Sequence, residues 1–370
     1  MTAYVAAARR TPVAPRDGAF KAVEPHDLGA AAVIACLADA GIAVDEVDEL
    51  IAGNAIGPGG NPARVTALAA GLPHRVAGLS VDRQCAGGLD ALRIAAAMID
   101  AGQADIVIAG GAESYSRRPI RHRTFDDGRA PVAYDQPPFA PDANQDPDMA
   151  EAAARLAERL GISRADQDDW AVRSHEKALA AREQMRREIA QVPNTDLDHD
   201  PFTRRLTHRV AERAAQIVGP ITNANTAVAA DGAAFCAVVS EGVAKRVNRP
   251  TLRIVSGATV GADPALPGLA PVAAIKSALS QAKLNPTDLT AAEIMEAYAA
   301  QAIACVNETG LSAEVTNLGG GALARGHPIG ASGAVLAVRL YHELTKRGGS
   351  GLAAIAAAGG IGSALVMQTP

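Results

Sequence analysis

The sequence predicts an α/β protein built of two similar halves, with a mainly helical insertion within it. Three observations carry this reading: apolar strand runs that alternate with helical segments, a helix–turn–strand unit that occurs twice, and a middle stretch of different composition. The first copy of the unit spans residues 26–54, with an amphipathic helix, a turn at Asp45 and a short strand. Residues 268–297 repeat that order, with an Asn-Pro-Thr-Asp turn. A second pair follows. After Cys85 come Gly87-Gly88, a helix over Leu89–Ala101, the strand Asp105–Ala109 and Gly110-Gly111. After His327 come a glycine-rich turn, a helix over Gly333–Lys346, the strand Gly351–Ala358 and Gly359-Gly360. The stretch from about Arg117 to Ala215 is rich in Pro, Asp and Arg and predicts the helices Met149–Leu160 and Ala165–Ile189, the second opened by a Ser163/Asp166 capping box. Phe235–Val239 then reads as a strand returning to the first half. The expected division is 1–116 with 216–246, an insertion at 117–215, and 247–370; a separate third domain is the alternative for the middle stretch.

Composition narrows the class. At 370 residues the chain is long enough for two packed cores. A net charge of −5 with 3% aromatic residues points to neither nucleic acid nor an anionic membrane as partner. The opening MTAYVAAARRTP lacks the basic-then-apolar pattern of a signal peptide, and apolar stretches such as Ala30–Ala38 are too short to span a bilayer. Cys36, Cys85, Cys236 and Cys305 are scattered without metal-site spacing, and read as reduced thiols in a cytoplasmic compartment. No metal or bound cofactor is implied.

Two residues stand out chemically. Cys85 lies after a short strand and at the start of a helix, whose free N–H groups are expected to lower its pKa. The Gly87-Gly88 pair allows close approach by another chain or a ligand. A small buried hydrophobe is the competing reading of Cys85; Cys36, Cys236 and Cys305 read as packing. His327 sits beside Pro328 in a loop with glycines at 319–321, 326, 330 and 333. A lone His is often structural, but its repeat relation to the Cys85 region suits a Cys–His pair for covalent acyl catalysis. The glycine clusters match neither phosphate-loop nor dinucleotide spacing.

Together these segments resemble the thiolase superfamily along nearly the whole chain. The similarity runs through Arg10-Thr11-Pro12, NPARVTALAAGLP (61–73), the nucleophile segment 81–114, the loop-domain helix 161–181, AEIMEAYAAQAIA (292–304) at the family's NEAF segment, and GGGALARGHPIGASGA (319–334) at its His motif. The resemblance implies a five-layered αβαβα fold, acyl-CoA substrates without a bound cofactor, and homodimers or homotetramers. It implies Cys85 as acyl-accepting nucleophile, His327 as its base, and the backbone N–H groups of Cys85 and Ala358 as an oxyanion hole, provided the backbone at Ala358 suits alanine. Met149 matches a pocket residue of the insertion; Arg204, Arg205, Arg209 and Arg213 are candidates for the CoA phosphates, or a solvated face.

The departures bear on the reaction. The family's NEAF asparagine, which positions an oxyanion-hole water, is Met295, and its second cysteine, which moves the α-carbon proton, aligns with Ala356. A loop serine becomes Ala227, and a serine after the nucleophile becomes Gly87. Losing an acid–base group and an oxyanion donor together costs on the order of 10⁴–10⁷ in carbon–carbon chemistry. The expected function is therefore an acyl-CoA-dependent acyltransferase working through a Cys85 acyl-enzyme. One alternative is a working thiolase whose acid–base group comes from Glu296, Tyr298 or an accessory protein; another is a non-catalytic or partner-dependent acyl-CoA-binding protein.

Overall fold

A computed structural model describes residues 2–370. The strands of each half alternate their side chains between two environments. In Ile106–Glu113, Val107 and Ala109 face inward while Ile106, Ile108 and Ala112 face outward; in Ser350–Ala357, Ala353 and Ile355 face inward while Leu352 and Ala354 face outward. Both faces of each sheet are therefore covered, which is why the strands read as continuous apolar runs. The first half orders its strands Leu79–Val81, Glu49–Gly53, Ile106–Glu113, Ala230–Ser240, Ala3–Arg10. The second orders Leu289–Ile294, Ser350–Ala357, Ile361–Gln368, Leu252–Gly261, with the same parallel and antiparallel pairings at corresponding places. The halves join edge to edge where Tyr4 and Val5 pair Arg253 and Leu252.

The helices Gly87–Asp100 and Ile329–Arg347 lie against each other and against strands of both halves, so their Leu89, Leu92, Leu336 and Leu340 share one core with the inward strand faces. Pro25–Ala40 and Pro62–Ala69 cover the outer face of the first sheet; Ala270–Ala282 covers that of the second. This is the expected five-layered αβαβα arrangement. The duplicated unit is also present, each copy running helix, single 3₁₀ turn, strand: Pro25–Ala40, Val44–Glu46, Glu49–Gly53 and Ala270–Ala282, Pro286–Asp288, Leu289–Ile294.

The middle stretch is mainly helical, with Met149–Leu160 and Arg164–Met185. The second starts at the expected box: Ser163 Oγ accepts from Asp166 N at 3.1 Å and Asp166 Oδ2 from Ser163 N at 2.9 Å. It ends before Ile189, in a 3₁₀ turn over Arg186–Glu188, because Glu188 is drawn into a buried ion network. Arg10 pairs Glu188 at 2.6 Å and Asp200 at 2.7 Å, and Arg339 pairs Glu188 and Glu343 at 2.5 Å each. That network clamps the insertion to a first-half strand and a second-half helix; removing one member of a buried pair typically costs about 3–5 kcal/mol.

Candidate active site

The two central helices can meet at their N-termini because no side chains intervene there. A Cβ on Gly88 would lie 2.8 Å from Ala334 N, and one on Gly333 would lie 2.6 Å from Leu89 N. The approach expected from Gly87-Gly88 is thus made by the other half of the same chain. It brings Cys85, just before Gly87–Asp100, and His327, just before Ile329–Arg347, to one cavity of about 380 Å³. Ala356, Ala358, Met149 and Ala227 line the same cavity.

Cys85 is the one partly exposed cysteine; the other three are buried. The turn holding it places Gln84 at φ +50°, with Gln84 N donating to Asp82 Oδ1 at 2.9 Å. The expected lowering of its pKa does not occur. Burial pushes the thiol up to about 12, although the N–H groups of Cys85 and Ala358 lie close enough to oppose the rise. Ala86 N and Gly87 N donate to Arg83 O and Gln84 O, each at 3.1 Å, so neither is free for the sulfur. Ala358 follows the strand and has no positive φ; that conformation falls on Gly359 at +77° and Gly360 at +75°, so alanine suits the position. Its N–H and that of Cys85 are the expected oxyanion donors.

His327 is held by its N–H to Val228 O at 2.8 Å and by Nδ1 to Ser332 Oγ at 2.6 Å. Ser332 donates its own proton to Pro328 O at 3.0 Å, so Nδ1 is the donor toward Ser332 and Nε2 is left as the free acceptor. Burial lowers the imidazole pKa to about 4. At neutral pH the resting pair is therefore uncharged thiol and uncharged imidazole.

The two substituted positions differ in placement. Ala356 faces the cavity and offers no titratable group. Met295 turns into the core between the sheets, outside the cavity wall. Glu296 is removed from the candidate acid–base groups: its oxygens accept from Trp170 Nε1 at 3.0 Å, Asn317 Nδ2 at 2.8 Å, Ser174 Oγ at 2.7 Å and Leu323 N at 3.2 Å. It braces the insertion to the second half. Tyr298 does line the cavity, and burial, with Asp148 and Cys85 near, raises its phenol pKa. Arg204, Arg205, Arg209 and Arg213 are exposed and outside the cavity wall, which instead contains Arg118 and Arg121.

Sequence reasoning missed Tyr115, Arg118 and Arg121 in the wall, and two buried carboxylates that hold the halves in place. Glu113 accepts from Gly330 N at 3.0 Å, Ala55 N at 2.8 Å and Asn54 Nδ2 at 2.8 Å. Asp90 accepts from Arg83 at 2.7 Å and from Thr259 Oγ1 and Ser363 Oγ of the second half, each at 2.6 Å. A charged residue inside each apolar run, Asp90 among Leu89 to Ile99 and Glu113 after Gly110-Gly111, was the available signal. Among the described residues no cluster of side chains suits a metal ion, and no helix is long and apolar enough to cross a membrane.

Comparison with known proteins agrees with this architecture. Residues 3–242 match the family model of the thiolase N-terminal domain and 248–369 that of the thiolase C-terminal domain. The chain is 39% identical to Bacillus subtilis (strain 168) YhfS, which bears a provisional acetyl-CoA C-acetyltransferase name, over 100% of this chain and 99% of that protein. It superposes on the Bacillus anthracis acetyl-CoA acetyltransferase with a TM-score of 0.91 at 31% identity, covering 100% of this chain and 99% of that one. On human mitochondrial 3-ketoacyl-CoA thiolase in complex with CoA the TM-score is 0.92 at 30% identity, covering 100% and 98%. The chain belongs to the thiolase family of acyltransferases.

Proposed function

We propose that the protein transfers acyl groups from acyl-CoA through a thioester on Cys85. The observation that carries this is the joint placement of Cys85, His327 and the Ala358 N–H on one cavity, with His327 Nε2 free to accept a proton. As Cys85 Sγ attacks the thioester carbon, its proton passes to Nε2. The resulting oxyanion is held by the N–H groups of Cys85 and Ala358. Collapse breaks the carbon–sulfur bond to CoA, and the CoA thiolate takes the proton from His327, leaving acyl-Cys85 and free CoA. An acceptor then loses its proton to His327 and attacks the same carbon, and Cys85 leaves as the thiol. Since thiol and imidazole both rest neutral, proton transfer accompanies attack.

Claisen condensation or thiolytic cleavage needs a further group to move the α-carbon proton, and Ala356 cannot. The second reading is a thiolase in which the Tyr298 phenol serves at that step, favoured by its place in the cavity wall. Brief exposure to acetyl-, butyryl- and longer acyl-CoA followed by intact mass measurement tests the first reading: the mass should rise by one acyl group, and not in Cys85→Ala. Absence of any adduct would leave the protein as an acyl-CoA binder or as incomplete without an accessory protein. Cleavage of a β-ketoacyl-CoA by CoA above the Cys85→Ala background would favour the second.

A further inference from the structure

Most of the cavity wall is uncharged, but one stretch of it carries cations. Arg118 and Arg121 both bring their guanidinium heads to that stretch. Arg118 Nη2 pairs with Asp135 Oδ1 at 3.0 Å, and Arg121 Nη2 donates to Ala55 O at 3.0 Å; Asp135 and Ala55 are themselves wall residues. The Arg118 guanidinium also stands 5.7 Å from the centre of the Tyr115 ring, and its side chain is 21% exposed, so a ligand can reach it. Tyr115 links it to the nucleophile. Burial raises the phenol pKa, Cys85 and Glu113 raise it further, and Arg118 opposes them, so thiol and guanidinium both lie within charge range of one hydroxyl. Tyr115, Arg118 and Asp135 also wall an open groove beyond the cavity, which puts Arg118 at the passage between the two.

The charges on this stretch leave one cation over. Asp135 offsets one guanidinium, but its side chain is 87% exposed, and an ion pair so open to water contributes little. The other wall carboxylate, Asp148, is engaged by the helix Met149–Leu160, accepting from Ala150 N at 2.8 Å, and lies by Tyr298. One spare positive charge suits one carboxylate; the several negative charges of the CoA phosphates would exceed it. We propose that the acyl group taken by Cys85 is that of a dicarboxylic acid, whose distal carboxylate pairs with Arg118 while Arg121 supports it from the same wall. The two arginines are then specificity residues for carboxylated over alkyl acyl-CoA, and the distal carboxylate takes no part in the bond changes at sulfur. The inference rests on the acyl-enzyme reading, and the test separates the two.

Rates of acyl-Cys85 formation are measured by mass for donors matched in length: succinyl- against butyryl-, adipyl- against hexanoyl- and suberyl- against octanoyl-CoA. The monomethyl ester of each dicarboxylyl donor serves as its uncharged counterpart. At one length or more, the native protein should favour the carboxylate over both counterparts by about tenfold, the worth of a charge-assisted hydrogen bond. Arg118→Gln, with unchanged melting temperature as the check on folding, should bring that ratio near one, and Arg121→Gln should lower it less. Asp135→Asn, which removes the competing carboxylate, should raise it. Equal rates at every length in the native protein would overturn the proposal, as would a preference that Arg118→Gln leaves intact. Equal slowing of every donor in Arg118→Gln, acetyl-CoA included, would also overturn it, assigning the arginine to the CoA phosphates. No adduct with any donor would instead remove the acyl-enzyme reading, and this inference with it.

Discussion

Two sectors around one cavity have opposite chemistry. Around Cys85, His327 and Ala358 the polar groups are kept and oriented, down to the Ser332 hydroxyl that sets the imidazole tautomer. Around Ala356 and Met295 they are gone: one position is a methyl group on the wall, the other a thioether packed in the core. On the proposed reading the first sector serves acyl transfer to sulfur, whereas neither Ala356 nor Met295 can move a proton at carbon. On that reading acyl transfer and carbon–carbon chemistry are separable, because the two sets of positions lie on different strand ends and loops.

The comparison breaks most readily at His327. His327→Ala should slow acyl-Cys85 formation by about 10²–10⁴-fold, as removal of a general base does, with little change in melting temperature. An unchanged single-turnover rate would mean that another group activates the thiol. Next, Ala356→Cys restores a thiol to the empty sector. Exchange of the α-protons of acetyl-CoA in deuterated water should rise by about 10²-fold over the native protein. A native protein that already exchanges them as fast would show that Tyr298 or another group fills the role.

The pH profile sharpens the same contrast. His327 titrates near 4 and Cys85 near 12, so both are neutral between. Below the lower value the imidazole is protonated and cannot accept, so kcat/KM for acylation should fall about tenfold per pH unit there and stay level from about pH 5 to pH 10. A fall on the alkaline side within that range, where an imidazolium would lose its proton, would instead indicate a thiolate–imidazolium pair. The smallest effect belongs to Ser332→Ala, which loses one hydrogen bond of about 1 kcal/mol and with it the preferred tautomer. Acylation should slow about fivefold with KM unchanged; a larger rise in KM would place Ser332 in substrate binding.

Much of the fold was legible because the duplicated unit repeats its punctuation as well as its apolar spacing. The Asp45 turn and the Asn285-Pro286-Thr287-Asp288 turn both became 3₁₀ turns before a strand. Cys85 and His327 were legible because each immediately precedes a glycine-rich helix start. Other properties were not. The Cys85 pKa moved opposite to the expectation from its helix position, since burial outweighs the N–H groups of Cys85 and Ala358 and depends on what packs around the thiol. Glu296 beside Met295 read as a spare acid until Trp170, Ser174 and Asn317, distant in sequence, took up its oxygens.

The sequence alone therefore determined the duplicated α/β architecture and the helical middle stretch, and it singled out Cys85 and His327 as the candidate pair, because these follow from periodicity, turn chemistry and residue type. Only the tertiary structure decided the direction of the pKa shifts and which carboxylates are braces. Those depend on desolvation and on partners tens to hundreds of residues away, such as Gly330 for Glu113 and Thr259 for Asp90, which no local pattern encodes.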